Sequence, residues 1–147
     1  MLRTGLLEGV SISVAGDEAA VARARELGAS VEPLDVVDDL ELDGTPPEVL
    51  VCATGDADTS FFAARAAANA WIAAQRGGKI VFVAPRGDAP VRAALENLAR
   101  TLSIEWARHG ITPTAILPGA SEDVAELVAF LASPAGDYYS GCTFTLR

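Results

Sequence analysis

The sequence predicts an α/β fold: a doubly wound, mainly parallel sheet of about six strands with helices on both faces. Three observations carry that expectation. Short β-rich apolar runs alternate with helical stretches along the chain. Two of those runs, residues 48–53 (EVLVCA) and 79–84 (KIVFVA), stay apolar after one charged residue, as parallel strands buried on both faces do. In the stretch 91–119, Val91, Leu95, Leu98, Leu102 and Trp106 recur at helical spacing, and the chain then passes through Gly110 directly into a buried strand.

Taken in order, residues 1–9 form a loose start, and the alternating 10–15 (VSISVA) is the first strand. Gly16 turns the chain, and Asp17 caps a helix that runs to about Leu27 and ends at Gly28. Residues 31–34 make a short strand, which Pro33 assigns to a sheet edge because a missing N–H costs nothing there. An acidic connector, 35–47, follows and leaves room for one more short strand near Val36 and Val37. After strand 48–53, residues 59–75 are helical, with Thr59 or Asp58 as cap, and are so rich in alanine that another helix can approach closely. Gly77-Gly78 ends that helix before strand 79–84. The long helix 89–109, strand 111–117, a helix capped by Ser121 with Glu122 and Asp123 at its positive end, and a strand at 142–146 complete the chain. The whole of 1–147 is one domain, large enough for a real core.

Charge and composition exclude several classes of function. The net charge is −9, and no Lys or Arg occurs from Glu26 through Ala64. Such a surface repels phosphate backbones and anionic lipid, so neither nucleic acid nor membrane is an expected partner. No run approaches the roughly 18 apolar residues of a membrane span, and no leader-like segment opens the chain, so a cytoplasmic location is expected. Cys52 and Cys142 sit in apolar strand contexts and read as buried free thiols. With one histidine, His109, and no paired-ligand spacing, no metal site is expected. His109 falls in the last turn of the long helix, where a cation is favourable.

The runs AALENLARTLSIEWARHGI, AILPG and EDVAELVAFLASPAGDYYSG resemble the C-terminal half of the short-chain dehydrogenase/reductase family, densely over about residues 78–141. EVLVCATG resembles that family's turn after its fourth strand. The resemblance implies a Rossmann-like sheet and nicotinamide-dependent oxidoreductase chemistry. It also implies a Tyr-x-x-x-Lys pair on the helix 89–109 and a serine after strand 79–84, the tyrosine moving the carbonyl proton and the lysine lowering its pKa. Aligned on AALENL, those places hold Asp88 and Arg92, and the serine falls at Ala84 or Pro85. The one lysine, Lys79, stands at the amino end of its strand, and neither Tyr138 nor Tyr139 has a lysine four residues on. An i,i+4 ion pair is the simple reading of Asp88 and Arg92.

The cofactor turn is reduced as well. Dinucleotide binding wants several glycines there, and this turn has Gly16 alone, followed by Asp17 and Glu18 at the positive helix end. Asp35 lies at the spacing of a ribose-binding acid, but one charge in an acidic connector is more simply a solvated one. No catalytic set and no cofactor site is therefore expected, Gly16 and Asp35 being vestiges. Only PRGDA separates strand 79–84 from the long helix, and one residue separates Pro118-Gly119 from the last.

What remains is surface for association. In the family the helices matching 59–76 and 89–109 pack against their mates across a two-fold axis. Here Phe61, Phe62, Trp71, Ile72, Leu95, Leu102, Ile104 and Trp106 supply apolar area on them. Two faces of roughly 800 Å² each would make a standard interface. The expected function is a non-catalytic, structural subunit whose protein partner is itself or a full-length dehydrogenase relative. The alternative is an NAD- or NADP-dependent oxidoreductase working through Arg92 and Asp88. A small-molecule module in the leftover cleft is a third class, for which the sequence nominates no residue.

Overall fold

The computed structural model describes residues 2–120 and 123–147. Among these, six strands form one all-parallel sheet: β1 Ser11–Gly16, β2 Ser30–Pro33, β3 Val49–Ala53, β4 Gly78–Val83, β5 Ile111–Leu117 and β6 Thr143–Thr145. Their order is β2-β1-β3-β4-β5-β6, so the winding reverses between β1 and β3, and β2 with its Pro33 is an edge as expected. The helices are α1 Ala22–Glu26, α2 Ala57–Ala73, α3 Ala89–Glu105 and α4 Val124–Ala132.

The two-residue period of each strand divides the core into two layers. Ile12, Val14, Val49, Val51, Val81, Val83 and Ile116 point to the side covered by α1 and α4. Leu50, Cys52, Ile80, Phe82, Ile111 and Ala115 point to the side covered by α2 and α3. Alanine is what brings α2 close: Ala63, Ala64, Ala66, Ala67 and Ala68 are all buried. Its one large buried side chain, Trp71, lies flat on Gly78, where an added Cβ would fall 2.1 Å from the ring.

Several boundaries differ from expectation, each for a local reason. The helix predicted from Asp17 to Leu27 is a 3-10 turn, Glu18–Val21, followed by the five-residue α1, though Asp17 does cap it. α2 begins before Thr59 because Asp56, not Thr59 or Asp58, is its cap: the carboxylate accepts from Thr59 N at 2.8 Å and Thr59 Oγ1 at 2.6 Å. The long helix stops at Glu105, and His109 belongs to a separate 3-10 turn, Ala107–His109, closed by Gly110 at φ 70°. α2 ends with Gln75 at φ 53°; its N–H reaches Ile72 O and that of Arg76 reaches Trp71 O, a paired C-cap normally given to glycine. The expected cap Ser121 and the adjacent Glu122 lie outside the described residues.

The strand suggested near Val36 and Val37 does not form. Instead the connector crosses the α2 side of the sheet, packing Leu34, Val36 and Leu42 against that layer. Two bonds hold it there: Arg65 Nη2 donates to Asp38 O at 2.6 Å, and the Trp71 indole donates to Pro47 O at 2.7 Å. Cys52 is buried, whereas Cys142 precedes β6 and is partly exposed, so only one of the two thiols is a core residue. Lys79, at the amino end of β4, pairs with Asp137 and donates to Ser133 O, both at 2.5 Å, so it caps the carbonyls beyond α4.

Trp71 is bonded on one side and packed on the other, so it cannot yield space. Gly78→Ala is therefore expected to cost about 3 kcal/mol by overpacking. Gly44→Ala, at positive φ but in open space, is expected to cost about 1 kcal/mol from conformation alone. Urea unfolding of the two variants measures the difference.

Candidate functional site

In a doubly wound sheet a ligand belongs beyond the carboxyl ends of the strands, where the winding reverses. A cleft of about 550 Å³ lies there, between the end of β1 (Asp17, Ala19, Ala20) and the end of β3 (Ala53, Thr54, Gly55). Ala84, Pro85, Arg86 and Pro118 form its far wall. Gly16 is required for a structural reason: its φ is 96°, and a Cβ would fall 2.1 Å from Ala53 O. The glycine thus lets β1 pass close to β3.

The residues present do not fit a dinucleotide. A pyrophosphate needs free N–H groups at a helix start and a backbone it can touch. Here the Asp17 carboxylate accepts from Ala19 N at 2.8 Å, and Ala20 lines the cleft wall. Glu18 is tied to Arg25 at 2.6 Å and does not line the cleft. Asp35 is exposed and does not line the cleft.

The positions aligned with the catalytic set are engaged elsewhere. Asp88 is the cap of α3, its carboxylate accepting from Val91 N. Arg92 forms no ion pair with it: the guanidinium donates to Pro85 O at 3.0 Å and Pro118 O at 2.8 Å. The predicted i,i+4 pair fails because the carboxylate faces the open N–H groups of its own helix. Arg92 thereby ties the loop after β4 to the loop after β5, and Arg86 repeats the link by donating to Gly119 O. Ala84 is buried and brings no polar atom. Arg86 is the cleft residue that sequence reasoning missed; its place directly after a strand's carboxyl end was the available signal. Burial pushes the Cys52 thiol far above its usual range, so it is no nucleophile. No group of three or more His, Cys, Asp or Glu that could hold a metal occurs among the described residues.

The eight apolar residues nominated for association separate into two sets. Trp71, Leu95 and Leu102 are buried in the chain's own core and offer no surface. Phe61, Phe62, Ile72 and Trp106 are partly exposed, and Ile104 is 74% exposed. Phe61 and Phe62 meet as a tilted pair, ring centroids 6.3 Å apart, and Arg65 covers the Phe62 ring at 5.2 Å. No helix among the described residues is long and apolar enough to cross a membrane.

No sequence-family profile and no curated protein matches the chain. Solved structures do. A short-chain dehydrogenase from Mycobacterium smegmatis superposes with a TM-score of 0.79 at 18% identity, over 100% of this chain and 95% of that one. A short-chain type dehydrogenase/reductase from Mycobacterium marinum gives 0.78 at 19% identity, over 95% and 94%. A protein from Agrobacterium tumefaciens assigned as a 2-deoxy-d-gluconate 3-dehydrogenase, with bound NADP, gives 0.77 at 19% identity, over 99% and 98%. The chain therefore has the short-chain dehydrogenase/reductase fold, as residues 78–141 implied; identities this low establish the fold alone.

The turn that floors the cleft carries a pH-sensitive bond. Hydrogen bonds from the Thr59 hydroxyl and N–H hold the Asp56 carboxyl below the usual carboxylate range. Its folded value lies under its unfolded one, so this stability is present above the carboxylate range and lost as pH falls through it. On acidification from about pH 6 to pH 3, Asp56→Asn is expected to lose less thermal stability than the parent protein. Paired melting curves measure it.

Proposed function

We propose that this chain is a non-catalytic subunit on the short-chain dehydrogenase/reductase fold. It acts by association through the exposed faces of α2 and α3, its partner being a second copy or a full-length active dehydrogenase relative. The observation that carries the reading is the state of Asp88 and Arg92. Where the resemblance implies a tyrosine and a lysine, both side chains serve the protein's own backbone. No proton donor then faces the cleft from α3, and no ammonium is placed to hold a ribose. The exposed Ile104 and the Phe61–Phe62 pair support association, since side chains of this kind leave water on docking. Two free thiols suit a reducing compartment, so the subunit is proposed to be cytoplasmic.

A second reading has one observation in its favour: the cleft at the winding reversal is still open, and a structural neighbour carries NADP. Under that reading the chain is an oxidoreductase that uses Arg92 after releasing it from its carbonyls.

Two measurements separate the readings. NADH and NADPH fluorescence titrations are expected to show no binding at millimolar cofactor; micromolar binding would favour the oxidoreductase. Light scattering, alone and with an active relative, is expected to give a complex. Phe62→Asp and Ile104→Asp should weaken it at least tenfold with unchanged melting temperature, since neither residue lies in the core. A monomer in both samples would refute the proposal.

A further inference from the structure

The opposite end of the sheet holds a feature that the proposed function does not use. A hollow of about 390 Å³ lies where the C-terminal ends of α2 and of the Ala107–His109 turn meet, lined by Ile72, Gln75, Arg76, Gly77, Arg108 and His109. Its walls are placed by a glycine contact. A Cβ on Gly77 would fall 2.3 Å from Gly110 O, so the two turns touch through bare backbone and bring Arg76 beside Arg108.

Charge and strain both distinguish this hollow. In a protein of net charge −9, its lining includes no carboxylate. Arg76 has no side-chain partner among the described residues, and Arg108 uses only Nε, which donates to His109 Nε2 at 3.1 Å. Helix C-termini carry about half a negative charge each, so two guanidiniums exceed what two ends can neutralise. Gln75 is the one described non-glycine residue at positive φ. Glycine would hold that C-cap without strain, so the backbone gives no reason for glutamine. Gln75 lines the hollow, and backbone conformations of this kind cluster at functional sites.

We propose that Gln75, Arg76, Arg108 and His109 form a binding site for a small molecule bearing an oxyanion, a phosphate or carboxylate, whose apolar body rests on Ile72. Guanidinium groups match the paired oxygens of such an anion, and the amide adds a directional bond.

His109 is the chain's only histidine, so its ring gives one unambiguous nuclear magnetic resonance signal. Titration of the untagged protein with inorganic phosphate and with succinate, at constant ionic strength, is expected to shift that signal saturably with at least one of them. Arg76→Gln and Arg108→Gln should each weaken binding about tenfold or more. Gln75→Gly is the decisive variant: it should raise the melting temperature by roughly 2–4 °C while weakening binding. Chloride-like, non-saturating shifts with both anions would overturn the proposal. So would unchanged binding in Gln75→Gly, because cations that only offset the helix ends have no use for the amide.

Discussion

The architecture depends on one fixed side chain. Trp71 is the only bulky buried group on an α2 otherwise lined with alanine, and it is held from both sides. Its ring lies on Gly78 at the start of β4, and its indole N–H is bonded to Pro47 O just before β3. A fully buried tryptophan must satisfy that N–H, and the carbonyl that does so belongs to the end of the connector. The tether draws Leu34, Val36 and Leu42 across the helical layer. A few apolar side chains and two hydrogen bonds thus cover this part of the face economically.

The same economy appears at the carboxyl ends of β4 and β5. Arg92 and Arg86 join the two following loops through main-chain carbonyls. With only a few residues in each loop, little chain is left to reach over the cleft. Both guanidinium groups serve as fasteners between the loops. A charged side chain donating to carbonyls keeps its strong bonds without needing a substrate.

The fold was legible because it rests on signals that few residues can counterfeit. The unbroken apolar runs at 49–53 and 80–84 admit only a strand buried on both faces, and Pro33 marked its edge. The roles of charged side chains were far less legible. Nothing in local spacing distinguishes Asp88 paired with Arg92 from Asp88 capping a helix while Arg92 reaches Pro118, twenty-six residues away. Trp71 and Leu102 looked like surface because helical periodicity reports an apolar face, not what lies against it. The hollow at Gln75 was invisible for a related reason: its parts come from two turns that meet only through Gly77 and Gly110.

The two sheet edges carry a consequence of their own. β2 is four residues long and ends in Pro33, and β6 is three residues long. Open backbone at a sheet margin invites intermolecular strand pairing and fibril growth, and brevity with a proline is how natural proteins suppress it. Short edges of this kind leave little backbone for a neighbouring molecule's strand to pair with.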